Sequence, residues 1–140
     1  MEVRELLQNY TAGKRNFSRL NFRDRRLSWA DLRQIDLSYA DLSLSILEGV
    51  DFTQANLQGV NLARADLTLA NLYKADLQDA DLRGADLRGA ELSYVNFRNA
   101  DLRCVSLQGA DLSNAIMPNG FIVPNHFIVQ RGEKVPAYMF

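Results

Sequence analysis

The chain of 140 residues carries 16 Lys and Arg, 17 Asp and Glu and one His, for a formal charge of −1 and a pI near 5.8. That balance supplies no global pull toward nucleic acid or an anionic membrane, and the length suits one domain. No apolar run approaches the ~18 residues of a membrane span, and the start lacks the charged-then-apolar pattern of a secretory signal; the single Cys104 cannot form an internal disulfide, so a cytoplasmic home is expected.

Residues 1–14 form the first unit. Val3, Leu6, Leu7 and Tyr10 follow i, i+3, i+4, i+7 spacing, one apolar face of a short helix, and Thr11-Ala12-Gly13 ends it. The expected role is a helical cap folded over the residues near Phe17 and Phe22, with a partner-binding helix as the alternative.

From residue 15 to 119 a five-residue period takes over. Phe17, Phe22, Leu27, Leu32, Leu37, Leu42, Leu47, Phe52, Leu57, Leu62, Leu67, Leu72, Leu77, Leu82, Leu87, Leu92, Phe97, Leu102, Leu107, Leu112 and Met117 follow without a slip. A period of five fits neither the 3.6-residue helix nor the two-residue strand, so the chain must turn a corner every five residues. Calling the large apolar position i, position i−2 is small and apolar from Ala30 onward, interrupted by Ser45, and i−1 is Asp, Asn or Glu in 17 of the 21 units. Alternation puts i and i−2 on one side of a short extended segment and i−1 on the other. The core is expected to consist of the i residues, and their neighbours at i−1, i+1 and i+2 to face outward.

Tandem units such as Ala80-Asp81-Leu82-Arg83-Gly84 and Ala85-Asp86-Leu87-Arg88-Gly89 resemble the pentapeptide-repeat proteins, and the lead-in from Val3 to Phe17 looks like that of short cyanobacterial members. The resemblance implies an all-β fold, a right-handed quadrilateral β-helix with four pentapeptides per coil. At the ordinary interstrand spacing of about 4.8 Å the repeat makes about five coils and a rod of roughly 25 Å.

Gly49, Gly59, Gly84, Gly89 and Gly109, with Asn99, Asn114 and Asn119, occupy i+2 and suit the positive φ of a type II turn. Trp29, Tyr39, Leu69 and Tyr94 in the same slot suggest a second turn type at those corners. Residues 20 apart should stack, which makes four i−1 ladders, the most acidic being Asp31-Asp51-Asn71-Glu91-Asp111. Arg83 and Arg103 stack at i+1, with Arg88 and Arg98 around the adjoining corners. This basic patch either balances the Asp ladders or receives an acidic partner. Trp29, Tyr39, Tyr73, Tyr94, Leu44 and Leu69 are large apolar side chains at outward positions, and Tyr39 with Leu44, one corner apart, is the candidate partner site. Trp29 could instead lie under the N-terminal helix.

Pro118-Asn119-Gly120 stops the repeat. Residues 120–140 contain two apolar runs, Phe121-Ile122-Val123 and Phe127-Ile128-Val129, with a turn between them. This segment is expected to cap the last coil around Leu107 and Leu112, and a dimer contact through residues 121–140 is the alternative. A monomer is favoured.

Chemistry is sparse. His126 and Cys104 lie on segments of different character, so neither a Cys-His nucleophile pair nor a His-based metal cluster can be assembled, and Ser43, Ser93 and Ser113 have no base beside them. The i−1 carboxylates have a structural duty toward turn amides. The expectation is a scaffold that is not an enzyme, has no cofactor or metal, and binds another protein rather than nucleic acid or membrane. The resemblance offers one alternative, the DNA-mimicking members that protect topoisomerases. With 14 acids against 11 bases between residues 16 and 119, a net of −3, this chain is a weak mimic.

Overall fold

A computed structural model describes residues 1–140. Helix α1, Val3–Thr11, is followed by a solenoid whose extended contacts are single-residue bridges and whose every corner is a turn. Seventeen parallel bridges run from Asn16↔Asp36 to Asn96↔Ile116, each joining residues 20 apart and each centred on an i−1 position. One coil is therefore four pentapeptides, and the four ladders read from the sequence are the four faces. We number the faces by their first i−1 residue, Asn16, Asn21, Arg26 and Asp31, and give the corner following each face the same number.

Three backbone hydrogen bonds per unit hold coil to coil. Leu37 N–H donates to Asn56 O, Tyr39 N–H to Gln58 O, and Asn56 N–H to Ile35 O, all at 2.9 Å. A fourth closes the corner within the unit: from Leu27 to Leu112, each i carbonyl accepts the N–H of i+3 at 2.8–3.3 Å. The i+2 residue has φ between 58° and 77° at every corner from Arg19 to Asn114, whether it is Gly, Asn, Gln, Leu, Tyr or Trp. A left-handed residue at i+2 alone, with that hydrogen bond, is the type II pattern. The second turn type expected at Trp29, Tyr39, Leu69 and Tyr94 does not occur. Stacking forces one corner geometry on all units, and at every corner but Cys104 a bond from the i+2 N–H to the chain above it offsets the roughly 1–2 kcal/mol that a side chain costs in the left-handed region.

The exception is the last corner. There Asn119 is not left-handed and Gly120 is, with φ 89°, so the chain reverses at Gly120 rather than starting another coil. Residues 121–129 return antiparallel, pairing at Ile116↔Ile122 and Asp111↔Ile128. Val123 N–H donates to Ala115 O and Val129 N–H to Ala110 O, while Leu112 and Met117 N–H donate back to Phe127 O and Phe121 O. Val123, Val129 and Met139 are buried against the end of the core. The segment thus pairs along faces four and one of the terminal coil. On faces two and three the N–H groups of Leu102 and Leu107 make no backbone hydrogen bond, so the edge expected to be covered is paired at Leu112 and unpaired at Leu107.

All i residues from Phe17 to Met117 are buried in one continuous column, with Leu102 at 9% and Leu107 at 7% the most accessible, beside the unpaired edge. Ala at most i−2 positions keeps the narrow interior filled without crowding. Ser45 breaks that series for a local reason. Its Oγ accepts from Arg25 N–H at 3.1 Å and donates to Phe22 O at 2.8 Å, bridging the two groups of a corner that lacks its own turn bond. At the other end Leu6 of α1 is fully buried, and Tyr10 donates its hydroxyl to Arg33 O at 2.8 Å. Arg15 stacks 3.8 Å from the Tyr10 ring centroid and donates to Tyr10 O, holding the helix on the first coil.

Candidate interaction surface

Outward side chains are ordered by the coil below them. The indole of Trp29 extends over Gly49, the ring of Tyr39 over Gly59, the side chain of Leu69 over Gly89 and the stem of Arg64 over Gly84. Each large i+2 residue in these pairs has a glycine 20 residues later because a Cβ there would meet it. Trp29, at 65% exposed, is therefore held against the solenoid wall and is not covered by α1, contrary to the alternative drawn from the sequence. Tyr39 is sandwiched between Gly59 and the Arg19 guanidinium, 4.8 Å from its ring centroid. Tyr73 is half-buried and meets Tyr94 edge-on at 5.9 Å, with Lys74 Nζ within 6 Å of both rings.

The i−1 carboxylates and amides are tied down locally. Asp36, Asp41, Asp51 and Asp66 each accept the backbone N–H of i+1 and the hydroxyl of the Ser or Thr there. Glu91 does the same for Ser93. Where i+1 is Arg, the carboxylate takes the guanidinium instead. Arg83, Arg88 and Arg103 bind Asp81, Asp86 and Asp101 at 2.6 Å, and Arg33 binds Asp31 at 2.8 Å. Those side-chain bonds hold the four carboxyls below their ordinary range, Asp101 down to about 2. Three of the four arginines of the sequence-derived basic patch are thus charge-balanced by their own unit. Arg98, whose i−1 partner is Asn96, forms no ion pair and stands at corner one.

Two further arginines without a carboxylate partner, Arg23 and Arg64, lie at corner two. A shallow groove of about 580 Å³ runs along corner two, and its lining includes Arg23, Leu44, Arg64, Arg83 and Arg103, with Ser43, Ala63 and Gly84 as small residues among them. Arg23 Nη1 donates to Ser43 Oγ at 3.2 Å, and neither Arg23 nor Arg64 forms a salt bridge. Leu44, 37% exposed, joins this groove, while Tyr39 stands one corner away across face two.

A family model described as pentapeptide repeats, in eight copies, matches residues 16–54, 26–62, 45–84 and 80–117. The chain belongs to the pentapeptide-repeat family. It is similar in fold to the pentapeptide repeat protein Rfr23 from the cyanobacterium Cyanothece 51142, with a TM-score of 0.76 and 21% identity over 92% of this chain and 97% of that one. It is 42% identical to the pentapeptide repeat protein alr5209 from Nostoc PCC 7120 over 90% of this chain and 88% of that one, with a TM-score of 0.31. HetL of Nostoc sp. strain PCC 7120, described as involved in heterocyst differentiation regulation, is 27% identical over 87% of this chain and 99% of that one, with a TM-score of 0.30. No curated protein matches.

Within the pentapeptide-repeat frame the groove was findable by arithmetic. Residues 23, 43, 63, 83 and 103 share one column and 44, 64, 84 and 104 the next, so stepping by 20 from Arg83 leads back to Arg23. What spacing alone does not reveal is which arginines are already neutralised. No cluster of three or more His, Cys, Asp or Glu side chains has a geometry suited to a metal ion, and no helix is long and apolar enough to cross a membrane.

Proposed function

We propose that this pentapeptide-repeat chain is a non-catalytic scaffold, a right-handed four-sided β-helix that binds another protein through its outward faces. The observation that carries this reading is the ordering of large side chains without burying them. Trp29, Tyr39 and Leu69 are 65%, 47% and 56% exposed, yet each is packed against a glycine of the next coil. Binding then loses little side-chain entropy, which is the main cost of immobilising flexible surface groups. Aromatic side chains are also the residues that most often dominate protein interfaces. The DNA-mimicking alternative is disfavoured because Asp31, Asp81, Asp86 and Asp101 are each clamped by arginine and the most acidic ladder is interrupted by the neutral Asn71.

Photo-crosslinking tests the scaffold. A benzophenone amino acid placed at Tyr39, and separately at Leu69, is expected to capture one discrete protein from cells of the native host. Capture of nothing at either position would remove the reading.

A further inference from the structure

We propose that the corner-two groove binds an acidic, extended peptide segment of a partner protein, with Arg23 and Arg64 as the residues that read its carboxylates. The proposal rests on the scaffold reading and specifies its partner. Charge is the first argument. Four guanidiniums and no carboxylate line this groove. The side chains of Arg83 and Arg103 are bound to Asp81 and Asp101, whereas Arg23 and Arg64 form no ion pair with any carboxylate. Arg23 belongs to the most basic part of the chain. Residues 14–26 contain Lys14, Arg15, Arg19, Arg23, Arg25 and Arg26 against the single acid Asp24, and none of the seven forms an ion pair. The N-terminal coil therefore presents a positive field to a ligand entering the groove, although the whole molecule is nearly neutral.

Shape is the second argument. The groove follows the solenoid axis from the row of Arg23 to the row of Arg103, four coil spacings or about 19 Å, which an extended chain covers in about six residues. Ser43, Ala63 and Gly84 keep the middle of that path low. The Arg64 stem is laid along it, with Cγ 3.3 Å from where a Cβ at Gly84 would be. Arg64 is exposed and lines the groove, so its guanidinium is open to a ligand lying there. Leu44 beside it offers contact for an apolar residue between acids. Arg is the side chain whose planar fork takes a carboxylate in two parallel hydrogen bonds, as Arg83 and Arg103 already do within this chain.

The probe is a fluorescein-labelled octapeptide of alternating Glu and Ala, followed by anisotropy at low and at physiological salt, with an alternating Lys and Ala octapeptide and a 20-nucleotide single strand as comparisons. The intact chain should bind the acidic peptide, more weakly as salt rises, and should not bind the basic one. Arg23→Gln with Arg64→Gln should weaken binding at least tenfold with no shift in melting temperature. Arg98→Gln, which removes an unpaired arginine from another corner, should leave it unchanged. Equal binding by the double variant and the parent chain overturns the groove, as does no binding of the acidic peptide or tighter binding of the nucleic acid strand. If these fail while crosslinking at Tyr39 or Leu69 still captures a partner, the groove is wrong and the scaffold stands.

Discussion

The indole of Trp29 lies so close over Gly49 that a Cβ added at 49 would fall 2.2 Å from Cε3 of the ring. Positive φ does not by itself require glycine here, because Gln54 and Arg64 hold φ 58° at equivalent corners. The glycine is needed because the previous coil occupies its space. Gly49→Ala should therefore destabilise by about 1–2 kcal/mol in the parent chain and much less in a Trp29→Ala background, a coupling a double-mutant cycle in urea would measure. Trp29 is the only tryptophan, so its emission spectrum should shift with the first substitution. Additive costs would mean that the two residues do not meet.

The core was legible in the sequence because it depends on a period, and a period survives whatever the other positions hold. Every fifth residue from Phe17 to Met117 is buried, and the four ladders fall where steps of 20 put them. Corner geometry was not legible. Residue preference at Trp29 or Leu69 argues against positive φ, but each of these corners is stacked in a column and donates its i+2 N–H to the next coil, so tertiary context overrides local propensity. The candidate surface was half legible. Stepping by 20 finds Arg83 above Arg103, yet only the bidentate bonds to Asp81 and Asp101 show that these two are spoken for and that Arg23 and Arg64 are not.

Ser45 makes the opposite kind of exception to the repeat. Alanine fills most i−2 positions, so Ser45→Ala looks like a return to consensus. It would nevertheless leave Arg25 N–H and Phe22 O without the hydroxyl that bridges them. A buried unsatisfied pair costs about 1–3 kcal/mol, and a lower urea midpoint with unchanged slope is the expected result. A gain in stability would mean that the Phe22 corner closes its own turn bond once the hydroxyl is gone.

Inside the solenoid one charge should be decisive. Leu87→Asp buries a carboxylate among apolar neighbours with no partner and should cost several kcal/mol, enough to unfold a domain of ordinary stability. Arg88→Ala, in the same unit but exposed and paired only with Asp86, should barely move the melting point. Far-ultraviolet circular dichroism on heating would distinguish the two variants.

Acid stability follows from the clamped carboxylates. Asp81, Asp86 and Asp101 titrate below the ordinary 3.8 because Arg83, Arg88 and Arg103 hold their charged forms, Asp101 down to about 2. A depressed folded-state value gives stability that is fully present above the unfolded value and is lost as pH falls through the folded one. The melting temperature should hence fall between about pH 4 and pH 2, and fall less steeply in Asp101→Asn, which has no carboxyl left to protonate at that site. A melting temperature flat across that window in the parent chain would show that these exposed pairs are fully screened.

The C-terminal segment is where fold and association meet. Residues 121–129 satisfy the terminal-coil groups of Leu112, Asn114, Ala115, Met117, Gly109 and Ala110, leaving Leu102 and Leu107 N–H on the other two faces. Deleting residues 121–140 would open all four faces, and an open edge of that length recruits another edge. The deletion variant should accordingly aggregate in a concentration-dependent way, whereas the intact chain should run at 15.8 kDa in light scattering. The exposed Asp101–Arg103 ion pair beside Leu102 helps keep the remaining edge single, since joining another edge there would require desolvating it. Phe127→Asp provides the contrary test. Phe127 is half-buried, and its backbone bonds Leu112 N–H and Ser113 Oγ, so the substitution should loosen the segment and lower the melting temperature of a monomer. If the intact chain instead ran at twice its mass and Phe127→Asp halved that mass with the fold retained, residues 121–140 would be an association surface rather than a cover.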